Sequence, residues 1–325
     1  MIDHRNIPYP IQPHYTWNII DASKLITFME CPRSFFYEYI LGWRPNRINN
    51  HLIFGSAWHK AMEVLLTDGY NDDAVIKAYD AFLTYYRQYI HETADDIYAP
   101  KTPENVLRAL AQYITKYQGD DHKIVYLGDK PLIEIAGTVN LDENRIMHFR
   151  MDSILRNNKG IFSREHKTGS RSGRQWADQW SLSIQVGLYT HVLYCLYPVI
   201  DVRGVEINGT FFMKTKLDFL RVPCWKTPGQ MQTWYHNVLH FLEMLEWQMS
   251  KLLDARDSDV VLYAFPLNTT NCTKYFGCAY HDFCTAWTNP LQYVDTIPEG
   301  MTIEYWDPSA EPAQCKLDLT TKKEG

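Results

Sequence analysis

The sequence has no long hydrophobic run, and its start shows no basic segment followed by an apolar stretch. Membrane-spanning helices need about 20 consecutive apolar residues, and secretion signals need that basic and apolar order. The first residues, MIDHRNIPYPIQPHY, have neither feature. We therefore expect a soluble, cytoplasmic protein without a membrane partner.

Positive charge is also scarce. The chain has 32 Lys and Arg residues against 38 Asp and Glu residues, for a formal net charge of -6. This balance excludes a protein that coats nucleic acid through a broad basic surface. Local phosphate contacts could still come from two short basic stretches, although such stretches also occur as plain solvated surface. These stretches contain Arg164, Lys167, Arg171 and Arg174, and Lys214, Lys216 and Arg221.

The seven cysteines are an odd number in a chain without a secretion signal, so a disulfide framework is not expected. Cys272, Cys278 and Cys284 recur every six residues near the end of the chain. Thiolates grouped in this way favour a zinc ion or an iron–sulfur cluster. Either His281 or Cys31 could supply a fourth ligand, and Cys31 is the better candidate. Buried thiols without metal are expected at Cys195, Cys224 and Cys315.

No repeat or low-complexity linker divides the chain, and its residue pattern changes near Lys123. Before that point, apolar spacing predicts helices over residues 23–43, with Ser23 as N-cap, and near 54–67, 72–92 and 103–118. After it, the segments KIVYL, LIEIAGTVNL, IMHFRMDSIL and GIFSREH predict strands of a largely antiparallel sheet. Further helices are predicted over 178–197 and 228–253, with the strands VEINGTFFMK and DFLRVPCW between them. The polar segment from Asp307 is expected to be poorly ordered.

Glu165 and Lys167 stand two residues apart in a predicted strand, so their side chains project to the same face. A short connection around Asn158 would let a hairpin bring Asp152, in the preceding strand, beside Glu165. Two carboxylates and an ammonium group suit phosphodiester hydrolysis, because carboxylates hold Mg²⁺ and the metal activates water. Taken alone, however, a Glu-x-Lys pair is common on exposed strands.

Two further pairs have helical spacing. His59 and Glu63 lie at i and i+4, so both could look towards one metal ion. Gln185 and Tyr189 repeat this spacing in the helix predicted after the Glu-x-Lys strand. Without other motifs, each pair is more typical of ordinary packing or polar surface.

Five motifs occur in a fixed order within residues 23–195: CPRSFFY, GSAWHKAME, FRMD, EHKTG and QVGLY. Several weak motifs in the correct order make a specific signal. The chain resembles the RecB-like nucleases of the PD-(D/E)XK superfamily, including CRISPR-associated RecB-like exonucleases and AddB-type nuclease domains of helicase–nuclease repair complexes. The resemblance implies an α/β fold with a restriction-endonuclease-like core, in which helices flank a central mixed sheet.

The resemblance also implies a metal site. His59, Asp152 and Glu165, helped by the backbone carbonyl of His166, would bind Mg²⁺ or Mn²⁺, and Lys167 would be catalytic. An imidazole ligand makes Mn²⁺ a credible choice, since Mn²⁺ is softer than Mg²⁺.

Other residues match family positions outside this set. Gln185 and Tyr189 match a Gln-x-x-x-Tyr motif that contacts DNA or supports the site. Glu134 lies where many relatives have another acidic residue. Cys31, in the CPR motif, would join the three late cysteines in binding a [4Fe–4S] cluster, with zinc as the chemical rival. The cluster would form an iron–sulfur subdomain from both termini.

The sequence therefore predicts a metal-dependent DNA nuclease, an exonuclease on single-stranded ends, with a helicase, recombination or CRISPR protein as partner. A second hypothesis is a nuclease-like iron–sulfur DNA-binding subunit of a repair, recombination or CRISPR adaptation complex, with little cleavage of its own. Four segments are predicted: an N-terminal helical segment with the first cluster cysteine (1–53), a nuclease core with a helical insertion (54–265), a cysteine-rich cluster segment (266–306) and a polar tail (307–325).

Overall fold

The computed structural model describes residues 11–274, 277–310 and 312–320. The α-helices are α1 (Ala22–Glu30), α2 (Pro32–Phe35), α3 (Asn50–Asp68), α4 (Asp72–Tyr86), α5 (Pro103–Tyr117), α6 (Arg174–Asp178), α7 (Ile184–Leu196), α8 (Pro228–Asp254) and α9 (His281–Ala286). The strands are β1 (Trp43–Pro45), β2 (Lys123–Ile124), β3 (Tyr126–Leu127), β4 (Lys130–Pro131), β5 (Ile133–Asn140), β6 (Ile146–Asn157), β7 (Gly160–Gly169), β8 (Val202–Phe212), β9 (Leu217–Cys224), β10 (Met301–Ile303) and β11 (Cys315–Leu319).

Seven of these strands form one sheet with the order β11-β5-β6-β7-β8-β9, and β2 pairs with β6. The hairpins β5–β6, β6–β7 and β8–β9 are antiparallel, as the sequence predicts. Strands β7 and β8 are parallel because α7 carries the chain back across the sheet between them. The sheet is therefore mixed, and the expectation of an α/β fold with a mixed sheet flanked by helices is confirmed.

Helices cover the sheet in two groups, each with its own core. The first core packs α1, α7 and α8 against the sheet and includes Phe28, Leu188 and Leu242. The second core packs α3, α4 and α5 together and contacts the sheet through Phe212 and Phe219. Strands carrying the predicted site residues therefore lie between two helical layers.

Polar caps fix where the helices of the second layer begin. The side chains of Asn49, Asn71 and Thr102 each accept a hydrogen bond from a backbone N–H in the first turn of α3, α4 and α5, respectively. Such caps satisfy donors that have no partner within the helix. Because α3 begins at Asn50, the segment boundary predicted at residue 54 falls inside this helix.

The single helix predicted over residues 23–43 is wrong in detail. Helix α1 ends at Glu30, and Cys31 has an extended backbone before α2 begins at Pro32. Proline disfavours the helical conformation in the residue before it and lacks the N–H that would continue the helix. The N-cap is Asp21, which accepts from the Lys24 N–H at 2.8 Å, and not Ser23.

Two other expectations differ from the structure. The helix predicted over 178–197 is divided, since α7 begins only after its cap, Ser183. The segment after Asp307 was expected to be poorly ordered, yet β11 pairs in parallel with β5 along the sheet edge. This strand alternates buried Cys315 and Leu317 with exposed Lys316 and Asp318, a short β pattern that overall polarity conceals.

None of the helices in the described part of the chain has the length and hydropathy needed to cross a membrane.

Candidate metal site

The β6–β7 hairpin brings the predicted acidic residues together. Ser153 pairs with Arg164 in this hairpin, so Asp152 and Glu165 come next to each other at its open end. The backbone N–H of His166 donates a hydrogen bond to Asp152 Oδ2 at 2.6 Å. In an extended strand, the N–H and C=O of one residue point to the same side. The His166 carbonyl therefore faces the side of β7 on which Asp152 lies.

Helix α3 brings an imidazole to these strands. His59 Nδ1 lies 3.0 Å from Asp152 Oδ1, although 93 positions separate the two residues in the sequence. Among the described residues, one group of His, Cys, Asp or Glu side chains places three ligand atoms within 4.8 Å of one another: His59, Glu134 and Asp152. Oxygen and imidazole ligands at this spacing suit a divalent cation such as Mg²⁺ or Mn²⁺.

The charges in this group are strongly coupled. Burial alone would raise the pKa of Asp152, but the neighbouring His59 and the hydrogen bonds to Asp152 lower that pKa to about 2. Burial opposes the charge on His59 as well, yet Asp152 and the nearby acids raise the His59 pKa to about 9. Burial and Asp152 raise the pKa of Glu134 to about 7. A divalent cation would replace the compensating imidazolium charge and favour both carboxylates in their ionised form.

Glu134 also has an unusual backbone. Its φ is +46°, in the left-handed region that costs a non-glycine residue about 1–3 kcal/mol. The Glu134 carbonyl accepts a hydrogen bond from the Gln314 N–H at 3.0 Å, next to β11. The edge strand therefore helps to hold a strained residue whose carboxylate lies in the three-ligand group.

Glu165 and Lys167 extend the site along β7. Lys167 Nζ lies 2.7 Å from Glu165 Oε1, and Gln185 Nε2 donates to the same oxygen at 3.2 Å. Gln185 also donates to the Tyr189 hydroxyl at 2.8 Å, and that hydroxyl donates to the Arg150 carbonyl. Helix α7 thus fixes the Glu165 side chain.

The other carboxylate oxygen of Glu165, Oε2, is buried and has no hydrogen-bond partner among the described residues. A buried carboxylate oxygen without a partner is costly, and a metal ion or metal-bound water would satisfy it. Glu165 does not belong to the three-ligand group, so the structure places it beside that group.

The His166 side chain points away from the acids. Asn208 Nδ2 lies 2.8 Å from His166 Nδ1, and burial lowers the pKa of His166 to about 3. The imidazole is therefore neutral, and only the His166 peptide faces Asp152.

Two sequence expectations near the site are not met. Glu63 pairs with Lys60 at 3.0 Å and accepts a hydrogen bond from Gln314, and it is not in the three-ligand group. Arg164 and Arg221, offered as phosphate contacts, form ion pairs inside the protein. Arg164, 2% exposed, lies 2.7 Å from Glu206, and Arg221 lies 2.7 Å from Asp120.

The cysteines of the two terminal segments lie close together. Cys31, Cys272 and Cys278 line one cavity of about 320 Å³. The Asn268 N–H lies 3.5 Å from Cys31 Sγ. Burial, together with the thiols of Cys31 and Cys278, raises the pKa of Cys284 to about 11.

Grouped thiolates bind either zinc or an iron–sulfur cluster. The alternative ligand His281 is exposed and pairs with Asp282 at 3.3 Å.

A family model described as the PD-(D/E)XK nuclease superfamily matches residues 20–285. The chain belongs to this superfamily. The match includes every residue of the metal site but ends before β11 and Gln314. Members of the superfamily are metal-dependent nucleases, which agrees with the cation site formed by His59, Glu134 and Asp152.

No curated protein matches the sequence. The crystal structure of SSO0001 is similar at 12% identity, with 70% of this chain and 78% of that chain covered and a TM-score of 0.29. A TM-score this low adds nothing to the family assignment.

The sequence patterns do not place Glu134 among the predicted metal ligands. The sequence around Glu134 gives little indication of a metal ligand, because a lone glutamate in an alternating strand is usually solvated. Only the family resemblance marks this position. The left-handed backbone at Glu134 and the return of β11 along β5 were invisible to local patterns.

Proposed function

We propose that this superfamily member is a DNA nuclease that hydrolyses phosphodiester bonds with Mg²⁺ or Mn²⁺. The convergence of His59, Glu134 and Asp152 carries the proposal, because it places three hard or borderline ligands where one cation can contact all of them. Glu165, with its unpartnered buried oxygen, and the His166 carbonyl would complete the metal's surroundings.

The protein's own groups have distinct roles in this proposal. When bound, the cation would lower the pKa of a water molecule and polarise the phosphate. Lys167, held 2.7 Å from Glu165, would orient that water or stabilise the charge that develops on the phosphate. Gln185 and Tyr189 would keep Glu165 in position through their hydrogen-bond chain.

Cleavage from single-stranded ends is the finer part of the proposal and rests on the resemblance to RecB-like exonucleases. A helicase, recombination or CRISPR protein as partner rests on the same resemblance. The test uses end-labelled single-stranded, double-stranded and circular single-stranded DNA with Mn²⁺ or Mg²⁺. We expect linear single strands to be degraded from an end and circles to survive. Cleavage of circular DNA would show that the protein is an endonuclease and not an exonuclease.

Lys167→Ala should reduce cleavage at least 100-fold while folding is retained. Lys159→Ala is the matched control, since Lys159 is exposed at the opposite end of the same hairpin, and it should keep wild-type activity. If wild-type protein binds DNA but cleaves none of the substrates with either metal, the chain is a DNA-binding subunit instead.

We also propose that Cys31, Cys272, Cys278 and Cys284 bind a [4Fe–4S] cluster. The cavity shared by Cys31, Cys272 and Cys278 supports the proposal, and the resemblance favours a cluster over zinc. By joining the break between α1 and α2 to a segment more than 200 residues later, the cluster would have a structural role.

Anaerobically purified protein should be brown and contain about four irons with matching sulfide per chain. Cys31→Ser should lose the colour and the iron, whereas Cys224→Ser, at a buried thiol outside the cavity, should keep both. Stoichiometric zinc without iron in anaerobic wild-type protein would rule out the cluster.

A further inference from the structure

A pair of tryptophans lies beside the metal site, in the segment between Lys167 and Gln185. The Trp180 ring centroid is 5.8 Å from Lys167 Nζ, within the range of a cation–π contact. Trp176 meets Trp180 edge to face at 5.4 Å. Both rings are only partly buried. We call Trp176 and Trp180 the tryptophan platform.

Contacts with β8 hold the tryptophan platform in place. Trp176 packs edge to face on Phe211 at 4.7 Å. It also lies directly over Gly209, where an added Cβ would come within 2.4 Å of the Trp176 ring. The platform therefore rests on β8, which pairs with β7, the strand that carries Glu165 and Lys167.

Two hydrogen bonds anchor the ends of the segment. Ser172 Oγ donates to Asp218 Oδ2 at 2.6 Å, and the buried Lys226 ammonium donates to the Ser181 carbonyl. Aromatic rings fixed in advance lose little conformational freedom when a ligand binds. The Trp180 indole N–H is buried and has no hydrogen-bond partner in the part of the chain that the structure describes.

The surface around the platform combines positive charge with exposed apolar groups. Arg171 is exposed, and the Arg174 side chain is 93% exposed. Arg174 pairs with Asp178 at 3.3 Å, and an exposed i,i+4 pair of this kind is weak. Leu182, which follows the platform, is 86% exposed. A nucleic-acid strand alternates phosphates and bases, so cations next to aromatic rings match both of its chemical groups.

We propose that the tryptophan platform stacks unpaired bases of a single-stranded DNA end and so guides that end to the metal site. Arg171 and Arg174 would contact its phosphates. Unpaired bases offer their faces to aromatic rings, whereas bases in a duplex are already stacked on one another. This inference rests on the proposed nuclease function and adds a physical source for its preference for single strands.

The test measures DNA binding in EDTA, where cleavage is blocked. A fluorescein-labelled thymidine oligonucleotide of about 12 nucleotides serves as the single strand, and a hairpin duplex serves as the alternative ligand. Trp180→Leu should weaken single-strand binding about 10- to 100-fold, the range typical of lost base–aromatic stacking, and leave duplex binding within about threefold. Trp180→Phe keeps an aromatic face and should retain most of the affinity.

The chain offers a matched control in Trp247 of α8. Its side chain is 54% exposed and carries Lys251 Nζ at 3.7 Å from the ring centroid, so it is also an aromatic ring beside a lysine. Trp247→Leu should bind both DNA forms as the wild type does. If Trp180→Leu and Trp247→Leu give equal affinities for the single strand, the platform proposal is wrong.

A second readout uses the wild-type protein and does not depend on the folding of any variant. A 2-aminopurine base placed successively from each end of the oligonucleotide should lose fluorescence where it stacks on the platform. If no position shows quenching, the proposal is wrong.

Cleavage of DNA by the wild-type protein is measured separately. If the wild type cleaves DNA but Trp180→Leu binds the single strand as the wild type does, only the platform proposal is wrong. If Trp180→Leu loses single-strand binding but the wild type cleaves no DNA, only the nuclease function is wrong.

Discussion

Lys101 is a buried cation whose free-energy cost can be derived from its surroundings. It lies just before α5, is 5% exposed, and places Nζ 5.4 Å from the Phe54 ring centroid and 3.5 Å from Thr168 Oγ1. Burial lowers the pKa of Lys101 from 10.5 to about 8, and no carboxylate of a described residue offsets this. The decrease corresponds to roughly 3 kcal/mol of unfavourable free energy for the charged form in the folded state.

The sign of the pH dependence follows from these two pKa values. Below pH 8, the ammonium is charged in both the folded and the unfolded chain, so the folded state carries the full cost. As the pH rises from about 8 towards 10.5, the folded chain releases its proton first and this cost disappears. Lys101→Met, which keeps an unbranched apolar side chain, should therefore stabilise the protein at pH 7.

We expect Lys101→Met to raise the free energy of unfolding at pH 7 by about 1–3 kcal/mol, since the lost contacts with Phe54 and Thr168 offset part of the gain. Chemical denaturation at several pH values measures this difference. Lys77→Met is the control, because Lys77 is 65% exposed and pairs with Asp68, and this variant should be as stable as the wild type. A less stable Lys101→Met at pH 7, or a stability difference that does not shrink towards about pH 10, would refute the reasoning.

Three further substitutions test other parts of the structure. Glu134→Gln should weaken Mn²⁺ binding about 10-fold or more in calorimetric titration, whereas Glu63→Gln should have a much smaller effect, and equal effects would remove Glu134 from the ligand set. Gly187→Ala should cost about 1–3 kcal/mol in thermal unfolding, because the new Cβ would lie 2.1 Å from the Trp234 ring, and unchanged stability would show that the ring moves aside freely. Arg164→Met should cost about 1–3 kcal/mol, because Glu206 loses its partner at 2.7 Å and keeps Arg221 only at 3.7 Å, and a neutral result would show that water solvates Glu206.

Local sequence patterns determined the strands and the hairpin at the centre of the site. Glu165 and Lys167 share a face because side chains alternate along a strand, and the turn around Asn158 sets the register that brings Asp152 beside Glu165. The ordered motifs added His59 to this group. These features depend on short-range periodicity and turn chemistry, which the sequence expresses directly.

Only the tertiary structure decided which distant groups share the site. The Glu134 backbone, the return of β11 along β5 and the contact between His59 and Asp152 depend on how helices and strands pack, and each of the two pairings joins residues far apart in the chain. The same packing buries Arg164 among acids and leaves Arg174 exposed beside the platform. Two arginines of the same charge therefore lie in different surroundings, because the burial of a residue is set by the whole fold and not by its neighbours in the sequence.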